Sequence, residues 1–563
     1  MKLRRAGLLT TAALATMSTV WAADPPSGPA KAESSAEVQQ LKELLVKQQQ
    51  QIEALQKALA AQQKALEAIE AKPAQAAAAA PQRATSPDRL VASGAPMLVP
   101  PSTNSGSPAP KLDTPLPTPA PQAVAPNTNP LQLQLGNITI MPVGFMDATA
   151  VWRDKDAGSS IGSNFGSVPY NNSIPGGRLS EFRFSPQNSR IGFRIDGNWK
   201  GWHFIGYNEF DFLGNNASNA IGVTNGAFVP RLRLFWVDVA KDQFEFLAGQ
   251  SWSMMTPNRK GISALPGDLF YTNVVDVNYV IGLPWTRQPG MRLLYHPSNK
   301  ATFGLSLENP NQYIGGSGGG GKIALPTAFS GFAGTQLDDT STMYLSTPNV
   351  HPDIIAKAAF DPSSKVHFEF AGLERTFKVI NPTTLVTSTK AGGGGAFNAN
   401  FELFKGFRLV TNNFYSDGGG RYLFGNAPDV IVRADGTLSP VHAAGLVEGF
   451  EATVSPKVAL YGYFGNIYIG RNVAIDSNGK PVGFGYTGSA NSQNRTVQEI
   501  TLGLNHTVWK DPRYGALNFM YQYEWLNRDP WYVATGTPKS AHDNAIYFNV
   551  RYTLPGAPPP AEK

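Results

Sequence analysis

Ala516-Leu-Asn-Phe-Met-Tyr-Gln-Tyr-Glu-Trp-Leu526 decides the fold. Leu517, Phe519, Tyr521, Tyr523 and Trp525 share one parity, and Asn518, Met520, Gln522 and Glu524 share the other. Period two is the signature of a strand whose faces meet different media. An unbroken aromatic face backed by a polar one suits lipid outside and water inside, the pattern of a transmembrane barrel strand of about ten residues. The same alternation puts Ile546, Phe548, Val550 and Tyr552 against Tyr547, Asn549 and Arg551. It also puts Ile191, Phe193 and Ile195 against Arg190, Gly192, Arg194 and Asp196.

Working outward, sixteen such segments fit the chain: 144–152, 179–196, 203–213, 231–239, 244–252, 288–296, 301–309, 353–361, 366–375, 395–404, 407–416, 446–455, 458–469, 496–509, 516–526 and 544–554. Seven joints between them are tight, and the eight others span roughly 17 to 43 residues, in strict alternation. An even strand count with short turns at one rim and long loops at the other is the layout of a closed antiparallel membrane barrel. The sequence therefore predicts an all-β, 16-stranded transmembrane barrel over 131–555, with a tail at 556–563.

Composition agrees. Of 563 residues 42% are hydrophobic and 11% aromatic, but only 16% are charged, against about 25% in ordinary soluble domains. No run of about 18–20 apolar residues occurs beyond the N-terminus, which excludes a helical membrane protein. The absence of Cys excludes disulfides and thiolate chemistry. A net charge of +6 over this length gives no case for nucleic acid.

Residues 1–22 read as an export signal: Lys2, Arg4 and Arg5, then a small apolar stretch, then Val20-Trp21-Ala22. After a disordered stretch (23–35), 36–71 carries heptads. Their a positions are Val38, Leu45, Ile52, Leu59 and Leu66, and their d positions Leu41, Gln48, Leu55, Gln62 and Ile69. Eight apolar residues in ten predict a left-handed coiled coil with other chains. The linker 72–130 is Pro- and Ala-rich, with 14 prolines between Pro73 and Pro130, and reads as a semi-rigid spacer. Both termini of the barrel fall on the short-turn side, so this N-terminal segment is expected in the periplasm of a Gram-negative bacterium.

Charge on a lipid face is costly, about 2–4 kcal/mol for Arg or Lys at the midplane, so the alternation points charges inward. The candidate pore-lining set is Arg183, Arg190, Arg194, Glu209, Asp211, Arg231, Arg233 and Arg292, with Leu232, Leu234 and Trp236 assigned to the outside. A parity switch is expected near Pro186. Guanidinium groups grip carboxylates bidentately, so the set reads as an anion-attracting constriction.

Arg183-Phe-Ser-Pro-Gln-Asn-Ser-Arg-Ile-Gly-Phe-Arg194, Asn208-Glu-Phe-Asp-Phe-Leu213, Pro230-Arg-Leu-Arg-Leu-Phe-Trp236 and Leu247-Ala-Gly-Gln-Ser-Trp252 resemble the DcaP-like outer-membrane porins. The motif match covers the second to fifth strands, and the signal, coiled coil, linker and barrel layout extends it. The resemblance implies a homotrimeric porin in outer-membrane lipid with a periplasmic coiled coil. It also implies a preference for small anionic solutes such as dicarboxylates, read by constriction arginines. By analogy with general porins, the third long connection folds into the barrel and offers Arg259, Lys260, Asp268 and Asp276 to the constriction. The long Gly-rich loops depart from the family pattern. So does the end of the chain, where Tyr552-Thr-Leu554 is followed by Pro and Ala rather than closing on an aromatic residue.

Other motifs fail on context. Gly316–Lys322 approaches a phosphate-binding loop, but Ile323 stands where Ser or Thr is needed, and the run reads as a flexible surface loop. Gly315-x-Ser317-x-Gly319 fits a nucleophile elbow by letters only. The seven His are scattered, and Asp338-Asp339 lacks calcium-loop spacing, so no metal, cofactor or catalytic set is expected. The expected function is passive diffusion of small hydrophilic solutes. A carbohydrate-selective porin is the alternative, with Phe270, Tyr271 and Trp285 as its loop aromatics. A barrel-anchored tether, reaching the cell wall through the coiled coil, is the alternative of another class.

Overall fold

A computed structural model describes residues 131–555, apart from 157–159, 164, 171–174, 215–227, 266–279, 317–319, 333 and 339–346. The export signal, coiled coil, linker and C-terminal tail lie outside the described residues, as do Asp268, Phe270, Tyr271 and Asp276.

The barrel strands are β1 (Ile138–Arg153), β2 (Glu181–Ser185 continued by Arg190–Trp199), β3 (Trp202–Asp211), β4 (Arg231–Lys241), β5 (Phe244–Trp252), β6 (Arg287–Ser298), β7 (Ala301–Glu308) and β8 (Asp353–Ser363). They continue as β9 (Val366–Ile380), β10 (Thr387–Phe404), β11 (Phe407–Asp417), β12 (His442–Ser455), β13 (Val458–Ile469), β14 (Asn494–Asp511), β15 (Gly515–Pro530) and β16 (Ala541–Thr553). Each pairs antiparallel with the next. β16 returns to β1 in a register from Phe145↔Thr553 to Arg153↔Ala545, so the sheet closes and leaves no edge. All sixteen expected segments are found, in order.

Local chemistry sets the tight rim. Between the paired Trp199 and Trp202, Lys200 and Gly201 both take positive φ (48° and 81°), as a two-residue hairpin of right-handed twist requires. The expected parity switch in β2 is present. Ser189 N–H donates to Pro186 O, and the chain resumes at Arg190 with charged residues still facing in.

Outward side chains form an apolar belt in which Phe184, Ile191, Phe235, Leu293, Leu305 and Tyr521 are exposed. Only lipid makes such a surface stable, and the fold points to an outer membrane. Two expectations on β4 fail: Leu234 and Trp236 are buried inside, not on the lipid face. A bulge opposite Glu209 and Phe210 shifts the register, so Leu232 and Phe235 face out three residues apart.

Two expected long loops are also shorter than read. The fifth connection is 381–386 and the eighth 531–540, because β9, β10, β15 and β16 extend into them. The polarity of the alternation inverts there. On upper β9, Thr376 and Lys378 face out, while Phe377 and Val379 face in, fully buried. Read with the lower-barrel rule, those residues look like loop.

The inverted segments cover a second core. At the long-loop end of the lumen, Phe377 and Val379 join Ile314, Phe329 and Phe332 of the fourth connection (309–352), Tyr422 and Val430 of the sixth (418–441), and Phe484 of the seventh (470–493). Of the Gly316–Lys322 stretch, the described residues Gly320, Gly321 and Lys322 border this packing and do not lie on a free surface. A Cβ on Gly320 would lie 2.3 Å from Gly425 O, and one on Gly321 2.4 Å from Ser492 O. Glycine is needed there so that three connections can meet.

Candidate functional site

The inward face of β2–β4 builds the site. Alternation places Arg183, Arg190, Arg194, Glu209, Asp211, Arg231 and Arg233 on one wall, and opposite charges meet either across strands or two residues apart along β2. Arg231 grips Asp211 with two bonds, Nε–Oδ1 at 3.0 Å and Nη2–Oδ2 at 2.6 Å. Arg233 bridges Glu209 (2.7 Å) and Asp211 (2.8 Å). Arg194 holds Asp196 bidentately, both bonds at 2.8 Å. Arg183 Nε donates to Glu181 at 2.6 Å, and Glu181 also accepts from Arg153 at 2.9 Å.

Pairing does not hide both signs equally. Along the wall the side chains of Arg183, Arg231, Arg194 and Arg190 are 45, 38, 24 and 16% exposed, against 8, 1, 19 and 11% for Glu181, Asp211, Asp196 and Glu209. Glu181 and Asp211 sit behind their guanidinium partners, whereas Asp196 and Glu209 are only slightly less exposed than theirs. Arg190 is the most loosely held. Its nearest carboxylate oxygen, on Glu209, is 3.9 Å away, its Nε has no hydrogen-bond partner, and its guanidinium lies 5.1 Å from the Phe145 ring centroid.

Two arginines of the expected set are placed differently. Arg233 is buried as a strut between two acids, and Arg292 on β6 is buried beneath the third connection, with Ser263 O 3.5 Å from its Nη1. Neither shares the exposure of the other four.

The described parts of the third connection (253–265 and 280–286) lie inside the barrel. Met254 N–H donates to Glu308 on β7 (2.8 Å), and Lys357 on β8 donates to Thr256 O (2.8 Å). Asn258 N–H reaches Glu369 on β9 (3.2 Å), and Gly261 N–H reaches Asp361 (2.9 Å). Arg259 pairs with Glu451 on β12, which also accepts from Tyr463 OH at 2.7 Å. Farther on, Ile281 N–H donates to Glu499 on β14 at 2.7 Å. Thus Arg259 is engaged with the far wall, while Lys260 beside it is exposed.

Beneath Asn258 lies a cluster that sequence reading left unassembled. Glu369 accepts from Lys357 (2.8 Å) and faces His367 Nε2 (3.3 Å), whose Nδ1 faces Asp361 (2.9 Å). A larger knot was missed altogether. Arg375 pairs with Asp429 (3.0 Å) and lies 3.4 Å from Asp353, which pairs with Arg421 (2.9 Å) and accepts from Tyr422 OH (2.9 Å). It ties the sixth connection to the wall. Asp429 lies in a connection, where no periodicity marks it. Arg375 and Asp353 were findable, since both sit at inward parity.

Among the described residues no group of His, Asp and Glu is arranged to hold a metal ion. The buried aromatics Trp252 and Trp285 pack together at 5.5 Å, and Trp285 stacks on Phe424 at 4.6 Å.

No family model matches the chain, and no curated protein matches its sequence. Solved structures do match. The outer membrane channel DcaP of Acinetobacter baumannii aligns over 75% of this chain and 98% of its own, at 16% identity and a TM-score of 0.53. An anion-selective porin from Comamonas acidovorans aligns over 74% and 99%, at 11% identity and a TM-score of 0.41. The OmpF of Salmonella typhi aligns over 75% and 99%, at 10% and 0.40. At such identities the likeness to DcaP establishes the architecture alone: the chain has the fold of an outer-membrane channel.

Proposed function

We propose that the protein is a passive outer-membrane channel for small hydrophilic solutes that favours small anions, dicarboxylates among them. One observation carries the anion preference: on the β2–β4 wall each guanidinium is more exposed than its carboxylate partner, most strongly for Arg183 over Glu181 and Arg231 over Asp211. A row of fixed donors in a narrow, low-dielectric passage raises the local concentration of anions and offers successive weak sites, which lets a solute enter and leave. No bond is made or broken, and no catalytic role is assigned. The likeness of motif and layout to DcaP-like porins supports a homotrimer, with the coiled coil and linker reaching into the periplasm. The carbohydrate reading draws less support, since Trp252 and Trp285 are committed to buried packing.

The test is the reversal potential of the purified protein in a planar bilayer under a salt gradient. An anion-selective potential that moves toward zero in Arg190→Ala is expected. Cation selectivity, or neutrality with unchanged behaviour in the variant, overturns the reading. Absence of conductance favours the tether. Deleting 31–130 leaves conduction intact if the barrel is the working part.

A further inference from the structure

Phe145 stands on the inward parity of β1, in the row that continues through the buried Asp147 and Thr149. The ring is half-buried. Its strand partners are Arg190 of β2 on one side and Thr553 of β16 on the other. Two guanidinium groups lie over it: the central carbon of Arg551 is 3.7 Å from the ring centroid and that of Arg190 is 5.1 Å away. Backbone chemistry fixes this meeting. Gly144 takes φ 127°, and a Cβ there would collide with the carbonyl of Arg190. Glycine is required for β1 to close on β2 at this point. Beyond Phe145, Asp147 N–H donates to Ser189 Oγ at 2.9 Å, which ties down the residue before Arg190.

The two arginines use the ring differently. Arg551 keeps its Nε on Asp147 at 2.7 Å while it stacks. Arg190 has no such anchor. The nearest carboxylate, Glu209, is already engaged: its Oε1 accepts from Arg233 at 2.7 Å and its Oε2 from Tyr207 OH at 3.2 Å. Arg190 stops 3.9 Å short of it, with its Nε unpartnered. Arg194 and Arg231, by contrast, each spend two donors on one carboxylate. An aromatic ring attracts a guanidinium over its face and leaves the in-plane N–H donors, the ones that grip a carboxylate, uncommitted.

We propose that Phe145 is a positioning residue for anion passage: its ring holds the Arg190 guanidinium off Glu209 and keeps the donor edge open to carboxylate-bearing solutes. The inference rests on the anion-channel reading and names the contact that makes Arg190 its working residue. Without the ring, the guanidinium closes the short gap to Glu209, which has lone pairs to spare, and its charge is spent inside the wall.

The test compares reversal potentials, in planar bilayers under a salt gradient, of the full chain with Phe145→Leu, Phe145→Tyr, Arg190→Ala and the Phe145→Leu/Arg190→Ala double variant. Phe145→Leu should lower the anion-to-cation permeability ratio about two- to fivefold, the weight of one cation–π contact at a partly wet site. Phe145→Tyr keeps a ring and should keep the ratio. In the Arg190→Ala background, Phe145→Leu should add nothing. A silent Phe145→Leu beside an effective Arg190→Ala overturns the inference and leaves the channel reading standing. So does a Phe145→Leu effect that persists undiminished without Arg190, since the ring then acts through Arg551 or the lumen shape. If Arg190→Ala is itself silent, the anion reading falls and this inference with it. A readout independent of conduction is modification of Arg190 by phenylglyoxal in native outer membranes, followed by peptide mass. It should slow in Phe145→Leu as the donors close on Glu209, while Arg183 reacts as before. An unchanged or faster rate at Arg190 contradicts the proposal.

Discussion

The β2–β4 wall and the β8–β13 wall obey one alternation rule and reach opposite results. On β2–β4 the inward positions hold Arg and acid in pairs, across strands or two residues apart on one strand, whose guanidinium sides stay open to the lumen. On β8–β13 the inward positions are covered. The third connection lies across Asp361, Glu369 and Glu451, while the fourth and sixth are bound at the Asp353–Arg375–Asp429 knot, whose side chains are fully buried. An inward charge is therefore not by itself a pore residue. What connects over it decides whether it meets solute or pins a loop.

The contrast is open to attack in order of size. Arg375→Ala leaves Asp353 and Asp429 buried without their shared partner, and removing one member of a buried pair costs about 3–5 kcal/mol. Denaturant unfolding should fall by that amount, and single-channel conductance should rise as the sixth connection loses its anchor. A variant with unchanged stability would place the knot among ornamental contacts. Phe235→Arg on the lipid belt should cost about 2–4 kcal/mol by the same assay, because the charge faces acyl chains. Arg190→Ala should cost under about 1 kcal/mol, since its ion pair is long and partly wet, yet it should move the reversal potential most per unit of stability lost.

The smallest effect belongs to the connections. Asp476 in the seventh accepts from the Thr327 hydroxyl (2.7 Å) and N–H (3.1 Å) of the fourth, and these bonds hold its carboxyl below the ordinary range. A lowered folded value means that the tie is fully present at and above the ordinary carboxylate range and is lost only as pH falls through the lowered value. Thr327→Val should move the onset of acid-induced proteolysis of the seventh connection to higher pH.

Strand count, order and the lower-barrel facing were legible because lipid and water impose a strong contrast on alternate residues, as in 516–526. The contrast reverses where strands leave the membrane, so Thr376–Ile380 and Thr387–Gly394 read as loop. The bulge on β4 was invisible because Leu234 and Trp236 are apolar on either face. Of the candidate site, Arg183, Arg190, Arg194 and Arg231 were readable from parity alone. The burial of Arg233 and Arg292 depends on register and on a connection folding inward, which no local pattern records.

The central claim is that the conducting path runs along β2–β4 and not along β8–β13. Because the chain has no Cys, single cysteines are clean probes. Arg194→Cys on the open wall and Asn412→Cys, inward and buried on β11, can each be exposed to a charged thiol reagent during single-channel recording. The account predicts a stepwise fall in current for Arg194→Cys and none for Asn412→Cys. Block at Asn412→Cys with none at Arg194→Cys would contradict it.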